Sequence, residues 1–519
     1  MIMNPTSNAT TSLASTRTKA SAPSHLPTDA AARTEHFDVL VVGAGISGIG
    51  GAYHLSTQCP GTSFVVLESQ ESFGGTWLTH RYPGVRSDSD LYTFGYRFKP
   101  WTSAPIASGA EILRYLGEVV DENELGRHIR YRHTISSASW SSETQRWSLE
   151  VIQNTTGERR RFSARFLWMC QGYYRHTQGY TPEWPRMNDF KGRIIHPQTW
   201  PEDLDYDGKK VVVIGSGATA ATLIPAIAER SAHVTMLQRS PTYFVTGRNA
   251  NVLADTLRQL EIEEEWIHEI VRKKILFDQA IITRRAFSEP EVLKQELLAG
   301  VSAFLGPDYD VQTHFTPSYS PWRQRIAFIP DGDLFKAIRD GKASVATDEI
   351  DRFVVNGIAL KSGKVLDADI IVSATGFNLN VMGDIAFSVD GQPVDFAQTV
   401  SYRGAMFTGV PNLVWIFGYF RASWTLRTDL IADFVCRLIN RMNSSQVAQV
   451  TPTLRDSDRD MQLSPWVSPE NFNPGYLMRS LHLLPKQGNI EPWRHKQDYW
   501  TEKDELPAAD LDDGSLIFR

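Results

Sequence analysis

The sequence predicts an α/β fold with two Rossmann-like dinucleotide-binding units, the second carrying a helical insertion. Three observations predict it. Two glycine-rich turns, Gly43-Ala44-Gly45-Ile46-Ser47-Gly48 and Gly215-Ser216-Gly217-Ala218-Thr219-Ala220, each follow an apolar run of strand length and open a stretch of helical spacing. From about 251 to 305 the pattern changes to amphipathic helix, and strand character returns at Ala343-Ser-Val-Ala346.

Residues 1 to about 35 are rich in Ser, Thr, Ala and Pro without hydrophobic period, and are expected to be a disordered tail. The first predicted strand is Phe37–Val42 and the first helix starts at Ile46. Gly43 permits the tight turn, Gly45 lets the backbone approach a pyrophosphate, and Gly48 allows close packing of helix on strand. The helix N-terminus then faces the phosphate charge. A second strand, Ser63–Leu67, ends in Glu68, about 20 residues beyond the turn, where a carboxylate accepts from a ribose hydroxyl.

Trp140–Glu150 and Arg160–Met169 read as strands of a hairpin excursion, with Thr155-Thr-Gly-Glu158 turning between them. The second glycine turn follows the strand Lys210–Ile214. Its partner strand, His233–Leu237, runs into Gln238-Arg239-Ser240 rather than into an acid. A carboxylate there would repel a 2′-phosphate, whereas Arg239 can pair with one and Ser240 can donate to it, so NADPH is the expected second cofactor. In the insertion, Glu261-Ile-Glu-Glu-Glu265 and Arg272-Lys-Lys274 read as a solvated face. The late strand around Ile370-Ile-Val-Ser-Ala-Thr-Gly-Phe377 should end beside the cofactors.

Composition fits an enzyme of more than one domain: 519 residues, 42% hydrophobic. A net charge of −6 supplies no basic footprint for nucleic acid. No run reaches the roughly 18 apolar residues of a membrane span, and the N-terminus lacks a signal peptide's apolar core, so a cytoplasmic location is expected. Cys59, Cys170 and Cys436 form no CxxC pair or metal-ligand spacing and read as reduced core residues, which argues against a disulfide reductase.

Two further stretches carry a specific resemblance. Phe190-Lys-Gly192-Arg-Ile-Ile-His196-Pro-Gln-Thr-Trp200-Pro201 matches the FxGxxxHxxxW[P/D] fingerprint of Baeyer-Villiger monooxygenases, and Gly74-Gly75-Thr76-Trp77 through Asp88 fits that family's second signature. Gly84-Val-Arg-Ser-Asp-Ser-Asp90, Leu237-Gln-Arg-Ser-Pro-Thr-Tyr243 and Ala422-Ser-Trp-Thr-Leu426 resemble its ethionamide-activating branch. The resemblance runs from about residue 35 to about 500.

The resemblance implies a split FAD domain, residues 36–175 and 346–519, around an NADPH domain at 176–345 with the insertion at about 250–305. It implies FAD contacts from Ser47, Glu68, Thr76, Trp77, Asp88 and Ile135, and makes His196 a linker residue that couples domain arrangement. Reduced flavin would react with O2 to a C4a-peroxide that inserts one oxygen beside a ketone carbonyl, giving an ester or lactone, with sulfide S-oxygenation as a second activity. A fixed guanidinium can stabilise the negative charge of such a step. Arg325 in Trp322-Arg323-Gln324-Arg325 matches the family's active-site arginine, and Asp88 matches the carboxylate that orients it. The sequence departs from its branch in carrying Arg323 where Asp is expected, and from other relatives in carrying Gln324 for Lys. Trp424 and the run Trp415–Phe420 are candidates for lining the cofactor and substrate cavity, or for core. A flavin-containing N- or S-monooxygenase shares both glycine turns and stays as the alternative.

Overall fold

The computed structural model describes residues 34–519, and among these the chain folds around two sheets. The tail expected at 1–35 lies outside the described residues up to 33, and Glu35 already belongs to the first strand. The larger sheet runs in the order Gln392–Pro393, Ala386–Val389, His133–Ser141, Arg146–Gln153, Arg159–Met169, Glu35–Val42, Phe64–Leu67, Ile129–Arg130. Leu413–Trp415 joins it against Arg159–Met169. The second sheet is parallel throughout: Ala343–Thr347, His233–Gln238, Lys210–Ile214, Ile370–Ser373, Arg193–Ile195. Val39 to Val42 and Val211 to Ile214 are buried without alternation, as parallel strands covered on both faces require.

Three expectations change. The run Trp140–Glu150 is not one strand: Ser142-Glu-Thr-Gln145 turns, with Gln145 at φ +52°, and Trp140 registers opposite Trp147. Apolar residues flank that turn on both sides, which hides it. Nor is Arg159–Met169 an excursion, because it pairs in parallel with Glu35–Val42 and sits mid-sheet. The second unit does not end at 345. Ile370–Ser373 pairs with Lys210–Ile214 and Arg193–Ile195, so the second part of the first unit begins after Ser373, not at 346.

The insertion, helices Val252–Gln259, Glu264–Ser288, Pro290–Leu305 and Val311–Phe315, lies between the paired strands Phe244–Gly247 and Ala327–Pro330. Its charges are not all solvated. Lys273 and Lys274 are exposed, but Arg272 is buried and donates to the carbonyls of Tyr92 (2.9 Å), Thr93 (3.3 Å) and Gly95 (3.1 Å). All three bonds leave Nη1, whose two hydrogens are shared among the three carbonyls, so Arg272 staples the insertion to the first unit.

The chain passes between the sheets twice, through Tyr174–Gly179 and Phe377–Leu379, and these passages pair antiparallel. His196 clamps them. Its Nε2 donates to the Gly376 carbonyl at 3.1 Å, its Nδ1 accepts from Gln198 N at 3.1 Å, and a Cβ on Gly179 would lie 2.0 Å from its ring. Burial lowers its pKa, consistent with the neutral tautomer those bonds need. On the far side, helix Trp424–Ser444 packs on Ile46–Gln58, where His54 meets Asp433 (3.4 Å) and Asp429 (3.7 Å). Cys59 and Cys436, remote in sequence, adjoin there, the Cys59 thiol donating to the Cys436 carbonyl at 3.8 Å.

Candidate active site

The first turn is built around contacts that admit no side chain. Gly43 has φ +95°, and a Cβ on Gly48 would lie 1.8 Å from the Gly43 carbonyl oxygen. Gly45 differs: its Cβ would meet only the Gly75 backbone, at 3.6 Å, so its free side opens on a cavity of about 590 Å³. Gly45 is also the helix N-cap and offers no capping side chain, which leaves the first helical amides available to a phosphate. This cradle fits a pyrophosphate. Glu68 closes one wall. It is buried and accepts from Ala44 N (2.7 Å) and Gln70 N (2.8 Å), while still lining the cavity.

Ser47, Thr76, Trp77, Asp88, Ile135 and Trp424 line the same cavity. Trp424 Nε1 donates to Ser47 Oγ at 2.9 Å, which joins the C-terminal segment to the first turn. The aromatic run divides: Trp415, Ile416 and Phe417 are buried core, whereas Tyr419 and Trp424 reach the cavity.

From the second turn Gly217, Ala218 and Thr219 face that cavity too, so both turns open on one space. Gly215 has φ +128° and its Cβ would lie 2.3 Å from the Ala374 carbonyl oxygen, but among the described residues a Cβ on Gly217 would meet nothing within 4 Å beyond its own chain neighbours and helix backbone. Ala220 is buried and packs the helix onto its strand. Ser216 Oγ is engaged with Ser240 O (3.2 Å) and Thr242 Oγ1 (3.0 Å). Arg239 and Ser240 are exposed at the strand end. Gln238 does not join them. Its side chain is buried and donates to His314 O (2.7 Å) and Thr347 Oγ1 (2.9 Å), because the strand's alternation turns it inward from the open edge.

The decisive pairing joins residues 237 apart in sequence. Arg325 Nε lies 2.7 Å from Asp88 Oδ2 and its Nη2 donates to Asp88 Oδ1 (3.1 Å) and Ser89 Oγ (2.9 Å). Among the described residues Nη1 has only the Phe420 carbonyl, at 3.4 Å, and so keeps donor capacity for a ligand. Burial works against the charge, but Asp88, Tyr173 and Tyr476 outweigh it and hold the guanidinium above its ordinary pKa. A second cavity of about 650 Å³ also touches Asp88, Ser89 and Arg325, and is walled by Ile275, Ile282, Leu293 and Leu297 of the insertion. Arg325 thus stands where a nucleotide-sized space meets an apolar one.

Sequence reasoning missed several cavity residues. Tyr173, stacked on Trp424 at 5.2 Å, follows the strand Arg159–Met169, and the C-terminal ends of strands are where open α/β sheets bind ligands. That position was the available signal. His80 lay within the stretch Gly74 to Asp88 without being singled out, and Tyr476 had no signal, since it acquires a site only through packing. Burial pushes His80 down to about 4 and keeps it neutral.

Comparison with known proteins now bears on this geometry. The family model for NAD(P)-binding Rossmann-like domains matches residues 41–101, and that for flavin-binding monooxygenase-like proteins matches 105–254. The chain is 46% identical over 487 residues to a probable FAD-binding monooxygenase AlmA of Acinetobacter sp, covering 93% of this chain and 96% of that one. It is 45% identical to the FAD-containing monooxygenase EthA of Mycobacterium tuberculosis (strain H37Rv), covering 93% and 98%. The chain belongs to the flavin-binding monooxygenase family. Among solved structures it resembles an oxidized steroid monooxygenase bound to NADP, with TM-score 0.70, 21% identity and 93% and 99% coverage. It also resembles OTEMO in complex with FAD and NADP, with TM-score 0.72, 18% identity and 94% and 100% coverage. The family's two-domain fold accounts for the two glycine turns, and the EthA match bears out the branch drawn from the sequence motifs. No helix among the described residues is long and apolar enough to cross a membrane, and no three metal-ligating side chains cluster.

Proposed function

We propose that this flavin-binding monooxygenase uses FAD and NADPH to insert one oxygen atom of O2 beside a ketone carbonyl, forming an ester or lactone, with S-oxygenation of sulfides as a side activity. In balance, ketone, O2, NADPH and a proton give ester, water and NADP⁺. FAD, when bound, would supply the chemistry that takes electrons from NADPH and activates O2. The observation that carries the reading is the Asp88–Arg325 pair at the junction of the two cavities.

The first turn and Glu68 would hold the FAD pyrophosphate and ribose, with Ile135, Trp77 and Trp424 around the remainder. The second turn would take NADPH, with Arg239 and Ser240 on its 2′-phosphate. Arg325 stays charged and offers Nη1 to the oxygen on which negative charge develops at the attacked carbonyl. Asp88 fixes that fork by binding its other edge. Neutral His80 and the tyrosines bring no competing charge, and the insertion helices line the substrate side with Ile275, Ile282, Leu293 and Leu297.

Visible spectra of the purified protein before and after NADPH in air test flavin, donor and oxygen use together. Product analysis with one ketone and one sulfide follows. An ester from the ketone is expected; S-oxide alone would make the protein an N- or S-monooxygenase.

A further inference from the structure

Arg421 lines the second cavity, and nothing in the reading above uses it. It is 8% exposed and lies between Phe287 and Phe472, whose ring centroids are 5.1 and 5.4 Å from its guanidinium carbon. Nε donates to Trp322 O at 3.1 Å, and Nη2 to Asn471 O at 2.6 Å and Asn471 Oδ1 at 3.0 Å. These acceptors are neutral. They satisfy three contacts and leave the charge uncompensated, and Nη1 has no hydrogen-bond partner among the described residues.

The other charges on this wall are already engaged or remote. Arg325 holds Asp88, and Arg285 holds Glu296 at 2.6 Å. Arg248 is exposed. Asp90 is pushed up to about 7 by burial and accepts from Tyr92 N. Arg421 itself is pushed down to about 10, by burial and by the neighbouring charge of Arg323, with no carboxylate acting on it. A buried cation without a counter-charge is costly, and the cost falls when an anion arrives. Beyond it Ile275, Ile282, Leu293, Leu297 and Phe328 give the wall an apolar stretch, with Gln279 and Thr283 among them.

The geometry points to a substrate anchor: Arg421 binds the carboxylate of an oxo-acid whose aliphatic part lies against the insertion helices, with its ketone carbonyl presented to Arg325. The inference rests on the ketone-oxygenation reading and names the substrate class for that site.

Binding is measured first, on the FAD-loaded protein without NADPH, by quenching of tryptophan fluorescence with decanoate and with methyl decanoate. Trp322 lines the cavity and serves as reporter. A charged hydrogen bond corresponds to a preference for the acid of roughly tenfold or more. The preference should shrink to about threefold or less in Arg421→Met and survive in part in Arg421→Lys. Turnover of oxodecanoate against its methyl ester should show the same ratio in kcat/KM. Equal affinity for acid and ester in the wild type overturns the proposal, as does a full acid preference in a flavin-replete Arg421→Met. If Arg421→Met does not fold, Arg421→Lys decides: an acid preference unchanged from the wild type overturns the proposal. Acid-selective binding with no oxygenated product would sink the ketone reading while leaving the anchor in place.

Discussion

At Gly45 a side chain would start 3.6 Å from the Gly75 backbone, in a recess walled by Glu68, Trp77 and Trp424; at Gly217, among the described residues, it would meet nothing within 4 Å beyond its own chain neighbours and helix backbone. Both glycines follow a parallel strand and cap a helix, so local sequence makes them equivalent. Their surroundings do not. The first turn is closed over by Trp424 from a segment nearly four hundred residues away, while the second leaves Arg239 and Ser240 at an exposed edge. Enclosure suits a cofactor that stays through many turnovers, and openness suits one that must be exchanged once per turnover. The same motif can serve a resident and a visitor because packing, not the motif, sets access.

The sharpest way to break this contrast is to fill the two turns in turn. Gly45→Val should yield folded protein that purifies colourless, whereas Gly217→Ala should keep its flavin and show only a raised KM for NADPH. Flavin content by absorbance after gel filtration reads both, and flavin retained in a folded Gly45→Val would remove the first turn from the site.

Arg325 belongs to neither turn, so its loss should separate chemistry from cofactor binding. Arg325→Ala should retain FAD and oxidise NADPH in air but lose ester formation by roughly 10²–10³-fold, releasing hydrogen peroxide. Asp88→Ala should uncouple more mildly, since it orients the guanidinium. Near wild-type ester yield from Arg325→Ala would mean that another group carries the oxygenation.

A smaller effect tests the open edge. Arg239→Ala removes a charged contact of about 1.5–3 kcal/mol, so KM for NADPH should rise while that for NADH barely moves. Equal losses for both coenzymes would make Arg239 structural.

The smallest effect concerns the enclosure of the first turn. His54 is buried, which alone would lower its pKa, but Asp429 and Asp433 raise it to about 9. A pKa raised above the ordinary 6.5 adds stability that is fully present below 6.5 and disappears as pH climbs through 9. His54→Gln should therefore cost roughly 1–3 kcal/mol at low pH and almost nothing above pH 9. Thermal melts of both proteins across that range check the sign, and a gap that widens with pH would refute it.

Much of the fold was legible because strand-turn-helix units are local. Gly43, Gly48 and Gly215 carry backbone demands that short-range sequence states outright. Glu68, a cavity residue just past a strand end, followed from its position within such a unit, whereas Ile135 came only from the family resemblance. The Gln238 side chain stands apart from Arg239 and Ser240, because a residue's place in a motif does not say which way a strand's alternation turns it. Arg272 was misread because its charge run looks solvated until three carbonyls of another unit are brought to it.

The sequence by itself determined the two nucleotide units and their glycine geometry, and its resemblance to a known family added the candidates Asp88 and Arg325. Only the tertiary structure joined those two side chains across 237 residues, moved Ile370–Ser373 into the second sheet and set Cys59 beside Cys436. Periodicity and turn chemistry act over a few residues, whereas a strand's neighbours and a guanidinium's partner are chosen by which surfaces can be buried together.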